Sequence, residues 1–255
     1  MKYRILALVF VLCLLLCGCD GEEIPETTAT EAPRLPVASV DLPELYDLPV
    51  KENLLVQNWL LSGQPDLIIT DRLPEEITMP VILVGSADAE NELVYTIDYQ
   101  WDTLAPQQVS LLTQLPYQGD LNRDGVITYA ILAPTGTDYK TACQAAMGSH
   151  NLLNSQTCLD DQAVGRQAAI RILSSYGKDL DILLCGSEAL SLGASAAAKD
   201  VGRITNQDLI LLTVGADIPR ASGTVYADPN AMIDAILACV NAPADMQLPL
   251  IATTK

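Results

Sequence analysis

The sequence predicts an α/β fold built on parallel sheets, and three observations predict it. From residue 50 onward, helical patterns alternate with short apolar runs. The runs are rich in Val, Ile and Leu and lack polar alternation, which marks strands covered on both faces. The alternation is most regular in the second half, as expected of strand–helix–strand units closing a parallel sheet.

Taken in order, residues 52–62 place Leu55 over Trp59 and Val56 over Leu60 at helical spacing. Strand-like runs follow at Asp66–Thr70, Pro80–Val84 and Leu93–Ile97, and residues 101–115 read as a helix. The second half predicts strand 126–133, helix 138–147, strand 155–159, helix 162–175, strand 180–185 and helix 188–200. Strands 208–214 and 223–226 and helix 229–241 complete it. In that last helix Ile233, Ile236, Leu237 and Val240 form one stripe, and Asp228-Pro229 supplies the cap and first-turn proline. Ligands of parallel sheets bind at the carboxyl ends of the strands. The turns after Val84, Ala133, Cys158, Cys185, Val214 and Tyr226 are therefore the ones to inspect. There is no glycine fingerprint, P-loop or internal repeat.

The amino terminus predicts export. Met1-Lys2-Tyr3-Arg4 is basic, and the apolar run from Ile5 to Cys17 is shorter than the roughly 20 residues a membrane span needs. Leu16-Cys17-Gly18-Cys19 resembles the bacterial lipobox, in which the final cysteine is acylated. The expectation is a signal peptide over 1–18, lipidation of Cys19, and an extracytoplasmic protein lipid-anchored to the bacterial cell membrane. Residues 19–36 are acidic and rich in Thr and Pro, with almost nothing to bury, and predict a flexible tether. The net charge of −18 grows more negative by two once Lys2 and Arg4 are removed, which disfavours nucleic acid and anionic lipid as partners. Cys143, Cys158, Cys185 and Cys239 lie in apolar stretches, match no zinc spacing, and are expected as buried free thiols. One histidine, His150 in a polar loop, and no nucleophile in a catalytic context give no hydrolase site and no reason to expect an enzyme.

The segment with the most chemical content is Asp120-Leu-Asn122-Arg-Asp124-Gly125-Val126-Ile127-Thr128. Oxygen-bearing side chains at positions 1, 3 and 5, a glycine at 6, a backbone carbonyl at 7 and an apolar anchor at 8 match a calcium loop. An EF-hand needs a carboxylate at position 12, where this chain has Ile131 inside a buried strand, so the missing carboxylate must come from elsewhere.

A calcium loop feeding the first strand of a second α/β lobe resembles the galactose/glucose-binding members of the ribose-type (type I) periplasmic binding proteins. The resemblance covers roughly residues 50 to 245 and implies two doubly wound parallel-sheet lobes. It places the amino-terminal lobe at 37–119 and the carboxy-terminal lobe at 120–255. It implies Ca²⁺ held by Asp120, Asn122, Asp124, the Val126 carbonyl and Thr128, with Asp181 at the bidentate position. It also implies a small polar ligand, a monosaccharide foremost, and a partner that is an ABC transporter permease or a membrane sensor.

The family's sugar contacts carry over unevenly. The aspartate after the first strand of the second lobe is Asp138. The asparagine after the next matching strand becomes Ser187, followed by Glu188. The aspartate after Val214 is displaced onto Asp217, and the last-loop asparagine becomes Ala227, followed by Asp228. The family's histidine has no counterpart in Gly136-Thr137-Asp138, its arginine falls near Ala142, its stacking tryptophan falls at Leu159, and its first-lobe asparagine is Gly85. Tyr139 and Tyr226 stand at strand ends, either as stacking surfaces or as ordinary rim tyrosines. The family's first strand and helix are missing: residues 37–48 are too few and too proline-rich to replace them. Only 37–40 offers one strand, expected at the centre of the first sheet, so the amino-terminal lobe is truncated. The chain thus predicts either a sugar-binding transport lipoprotein or a relative that has lost its sugar and serves as a sensor or interaction lipoprotein.

Overall fold

The structure, a computed structural model, describes residues 38–41, 67–70, 73–85 and 91–255. They form two sheets within one compact unit. The signal, the tether, Cys19 and the 52–62 pattern lie outside the described residues.

The larger sheet has the order β11-β9-β8-β7-β5-β6. Its centre is β5 (Thr128–Pro134), β7 (Ile182–Cys185) and β8 (Ile210–Val214), buried at every residue, which is why their sequences show no alternation. Successive side chains still divide between the faces. Tyr129, Ile131 and Ala133 enter one core with Cys143 and Met147 of α2 (Tyr139–Met147), while Ala130 and Leu132 enter the other. The second core is filled by α3 (Gln162–Tyr176) and α4 (Glu188–Asp200). These helices meet closely at Gly193, where a Cβ would stand 2.5 Å from the Gln162 carbonyl and the Arg166 nitrogen. β9 (Gly223–Tyr226) follows in parallel, and β11 (Ile251–Thr254) pairs with it antiparallel. β6 runs from Asn151 to Cys158, longer than the predicted 155–159; as an outermost, half-exposed strand it can carry Asn, Ser and Gln.

The smaller sheet has the order β1-β2-β3-β4-β10, all parallel. β1 (Ala38–Asp41) is the strand expected at 37–40. It lies at the end of the sheet rather than its centre: among the described residues β2 (Leu67–Thr70) is its only neighbour. β3 (Val81–Val84) and β4 (Val94–Tyr99) follow in sequence order.

The segments on either side of 119/120 do not each keep to one sheet. The predicted 101–115 helix breaks into a 3-10 turn at Trp101–Thr103, α1 (Leu104–Ser110) and a second 3-10 turn at Leu111–Gln114, before Pro116. α1 packs on α2 and β9 of the larger sheet. Conversely, α5 (Pro229–Asn241) packs on β3, β4 and β10, and β10 (Met246–Leu248) pairs with β4. Among the described residues the chain therefore crosses between the sheets three times: after β4, after β9, and between β10 and β11. The crossings are tied together. The Gln100 N–H donates to the Leu248 carbonyl at 2.9 Å, and the Tyr99 hydroxyl donates to the Asp228 carbonyl. β10 is not foreseeable from the sequence for a physical reason: a three-residue strand just before Pro249 carries too little pattern, and its pairing partner is about 150 residues away.

Candidate functional site

The strands β5, β7, β8 and β9 are parallel neighbours, so the loops at their carboxyl ends share one edge. That edge carries Asp138 after β5, Ser187 and Glu188 after β7, Asp217 after β8 and Asp228 after β9. Asp138, Glu188 and Asp217 are exposed; Ser187 and Asp228 are half-buried. Glu188 lies against the loop that bears Asp217: a Cβ on Gly215 would stand 3.0 Å from its Cγ and carboxyl carbon. Asp228 and Ser187 cap helices, accepting from the Asn230 N–H at 3.0 Å and the Leu190 N–H at 3.2 Å. Ser187 also donates to Asp160 at 2.5 Å, linking the loops after β7 and β6 across the end of β5.

Beneath this rim the edge is sealed by a group the sequence reading missed. Gln108 of α1 is fully buried, and its amide donates to the carbonyls of Cys185 and Thr213, both at 3.0 Å. Those carbonyls stand where β7 and β8 part. The Tyr139 hydroxyl donates to Gln108 Oε1 at 2.5 Å, and the Tyr139 ring packs so closely on Gly186 that a Cβ there would clash at 2.4 Å. Tyr139, expected either as a stacking surface or as a rim tyrosine, is buried: a large ring beside a glycine fills the crevice between β5 and β7. Burial holds its phenol well above the usual tyrosine range, with Cys143 adding to the shift. A signal for Gln108 was present in the sequence, since it interrupts the apolar stripe of Leu104, Ala105, Leu111 and Leu112. Tyr226 remains half-buried.

Where the crossings meet, Trp101 is 43% exposed and lies edge-on to Tyr99, with ring centroids 6.0 Å apart. Burial raises the Asp98 carboxyl, against hydrogen bonds from the Tyr99 N–H and from Trp101 that lower it. Burial also pushes the Tyr99 phenol up to about 12, helped by the charge of Asp228. A largely apolar groove of about 540 Å³ between α1 and α2, lined by Pro106, Val109, Ser110, Ala142, Ala145 and Ala146, includes none of the expected site residues.

The loop at 120–128 closes through hydrogen bonds between its own side-chain oxygens and backbone N–H groups. Asp120 Oδ2 accepts from the Gly125 N–H at 3.0 Å, Asn122 Oδ1 from the Asp124 N–H at 3.0 Å, and Asp124 Oδ1 from the Val126 N–H at 2.8 Å. Gly125, at φ +86°, makes the sharp turn. Asp120 Oδ1 is buried with no hydrogen-bond partner, which is the condition a hard cation would relieve. The two further residues expected as ligands, Asp181 and Thr128, are engaged with backbone groups and with each other. Asp181 is 1% exposed and its oxygens accept from the N–H groups of Leu121, Asn122 and Thr128. The Thr128 hydroxyl is engaged with Asp181 Oδ2 at 2.8 Å and the Asp179 carbonyl at 2.5 Å. Among the described residues, no three His, Cys, Asp or Glu side chains gather closely enough to hold a metal ion.

All four described cysteines are free and buried. Burial pushes the Cys143 thiol up to about 12 and that of Cys185 higher still, so neither is a reactive thiolate. Among the described residues no helix is long and apolar enough to cross a membrane.

No protein-family model and no curated protein matches the chain. Solved structures do. An ABC transporter solute-binding protein from Bacillus halodurans C-125 with bound myo-inositol is 18% identical, with a TM-score of 0.54, over 80% of this chain and 77% of that one. The periplasmic binding protein of the arabinose ABC transporter from Shewanella sp. ANA-3, bound to L-arabinofuranose, is 18% identical at 0.54, over 78% and 76%. A LacI family transcriptional regulator from Arthrobacter sp. FB24, in complex with lactose, is 14% identical at 0.63, over 86% and 98%. At these identities the likeness is one of fold. The fold is that of the type I periplasmic binding proteins, with an α/β, parallel-sheet architecture shared by sugar-binding proteins and LacI-like regulators.

Proposed function

We propose that the chain is an extracytoplasmic solute-binding lipoprotein, anchored through Cys19, that binds a small neutral polyol of the monosaccharide class and delivers it to an ABC transporter permease. The observation that carries this reading is the convergence of Asp138, Glu188, Asp217 and Asp228 on the carboxyl edge of one parallel sheet. Carboxylates there can accept sugar hydroxyls, and their charge disfavours anionic solutes. Support also comes from the transport proteins that share the fold and hold such ligands. The lipobox-like Leu16-Cys17-Gly18-Cys19 supports the anchor. As part of the same reading, Asp120, Asn122, Asp124 and the Val126 carbonyl hold a Ca²⁺ ion.

The test is a thermal-shift panel of D-galactose, D-glucose, L-arabinose and myo-inositol, with D-galacturonate as the anionic control. Stabilisation by at least one neutral member, and none by galacturonate, supports the proposal; no stabilisation by any neutral member overturns it. For the anchor, labelled palmitate incorporated by the wild type and lost in Cys19→Ser is the expected result.

A second reading, a sensor or interaction lipoprotein without a sugar, is favoured by one arrangement. Tyr139 fills the crevice between β5 and β7, Gln108 bridges β7 and β8, and Ser187 is already bound to Asp160. A flat sugar panel together with membrane-protein partners captured by the anchored chain would select it.

A further inference from the structure

We infer that Asp181 is not a calcium ligand but the anchor of the 120–128 loop, a carboxylate that gathers the loop's N–H groups and keeps it folded without a cation. A carboxylate has about four acceptor positions. Here Oδ1 accepts from the Leu121 N–H at 3.1 Å and the Asn122 N–H at 3.4 Å. Oδ2 faces the Thr128 N–H at 2.9 Å and the Thr128 hydroxyl at 2.8 Å. The side chain is 1% exposed, so no water competes for these positions. A metal bound to Asp181 Oδ2 would have to displace the Thr128 N–H, a buried donor that would then be unpaired.

The anchor's position explains its effect. Asp181 immediately precedes β7, and Tyr129 pairs with Ile182, so Asp181 stands beside Thr128 at the mouth of the sheet. From there it holds the entry of the loop, through Leu121 and Asn122, against its exit at Thr128. A cation organises such a loop by collecting its oxygens; Asp181 does so by collecting its nitrogens. What remains for a cation is the outer half, where Asp120 Oδ1 is the buried oxygen without a partner. Arg123, at φ +60° and with its guanidinium 3.8 Å over the Tyr117 ring, places a fixed positive charge beside that half. Cation binding is thus an addition to a folded loop and not the condition for folding it.

The experiment is melting of the full chain in EDTA and in excess CaCl₂, with three variants. Chelation is expected to move the wild-type Tm by less than about 2 °C. Asp181→Asn turns an amide donor toward backbone donors and is expected to lower Tm by about 6 °C or more in both buffers. Thr128→Val, which removes one donor while keeping the shape, should lower it by about 3 °C in both. Asp120→Asn should leave the EDTA Tm unchanged and weaken Ca²⁺ binding about tenfold by calorimetry. If Asp181→Asn does not fold, Thr128→Val and hydrogen exchange at the Leu121, Asn122 and Thr128 amides of the chelated wild type decide the matter. Protection in EDTA supports the anchor. A wild-type Tm that falls by about 6 °C on chelation, amides that exchange freely in EDTA, or variants that differ from wild type only in CaCl₂ would overturn it.

Discussion

The Tyr139 hydroxyl donates to the Gln108 side chain at 2.5 Å, and through Gln108 it is joined to the carbonyl groups where β7 and β8 part. A helix that follows the first crossing is thereby fastened inside the carboxyl edge of the larger sheet. Replacing Gln108 by Ala takes the amide donor from the Cys185 and Thr213 carbonyls and the acceptor from the Tyr139 hydroxyl, all of them buried. The expected cost is about 3 kcal/mol in denaturant unfolding. Tyr139→Phe should cost about 1 kcal/mol, and the double variant should cost less than the sum because the two share one network.

Arg203 is a second buried donor with a purely structural place. It is 8% exposed, donates to the carbonyls of Gly177, Leu180 and Asp208, and faces Asp208 Oδ1 at 3.3 Å. Arg203→Met removes the donors but not the carbonyls. Unfolding free energy should fall by about 2–3 kcal/mol, with the denaturant slope unchanged.

At Gly193 the constraint is steric. Gly193→Ala presses a methyl group onto the backbone of α3 at 2.5 Å, where no side chain can yield. A loss of about 2 kcal/mol is expected, against a few tenths for an exposed alanine exchange elsewhere on α4.

Alkaline pH should unfold the protein early. Burial raises the thiols of Cys143 and Cys185 from their ordinary value of 9.0, and raises the Tyr139 phenol. The unfolded chain therefore releases protons before the folded one does. Stability is fully present below about pH 8.5, and declines from pH 9 toward the raised folded values. Cys143→Ala should flatten that decline in pH-dependent melts. A pH-independent Tm between 8 and 11 would refute the buried neutral thiols.

If a neutral sugar binds at the carboxyl edge, Glu188→Gln or Asp217→Asn should weaken it about tenfold, roughly 1.4 kcal/mol, by calorimetry. Both side chains are exposed, so melting of the unliganded protein should not change. Unchanged affinity in both variants would place the ligand elsewhere.

The larger sheet was legible because its central strands are short runs buried on both faces, and because α4 and β9 fill the bounds their patterns predict. Asp228-Pro229 announced the start of α5, which packs on the smaller sheet. β10 and β11 were not legible, since three or four residues beside Pro249 have no period and take their meaning from distant partners. Of the site, the loop geometry of Asp120, Asn122 and Asp124 was written in local spacing, which is where such turns are decided. The employment of Asp181 and Thr128 was not, because it depends on which strands come to lie side by side. The burial of Tyr139 depended likewise on a glycine about 50 residues away.

The pairing of β10 with β4 also sets an order of events. The smaller sheet cannot close, and its helix α5 cannot dock, until the last residues of the chain have arrived. The larger sheet has β5 through β9 complete by Tyr226 and needs only a short antiparallel edge afterwards. The half of the molecule synthesised first is thus finished last, its contacts spanning most of the chain and forming slowly. Loss of residues 246–255 would then damage the amino-terminal sheet, the one farthest from the cut in sequence.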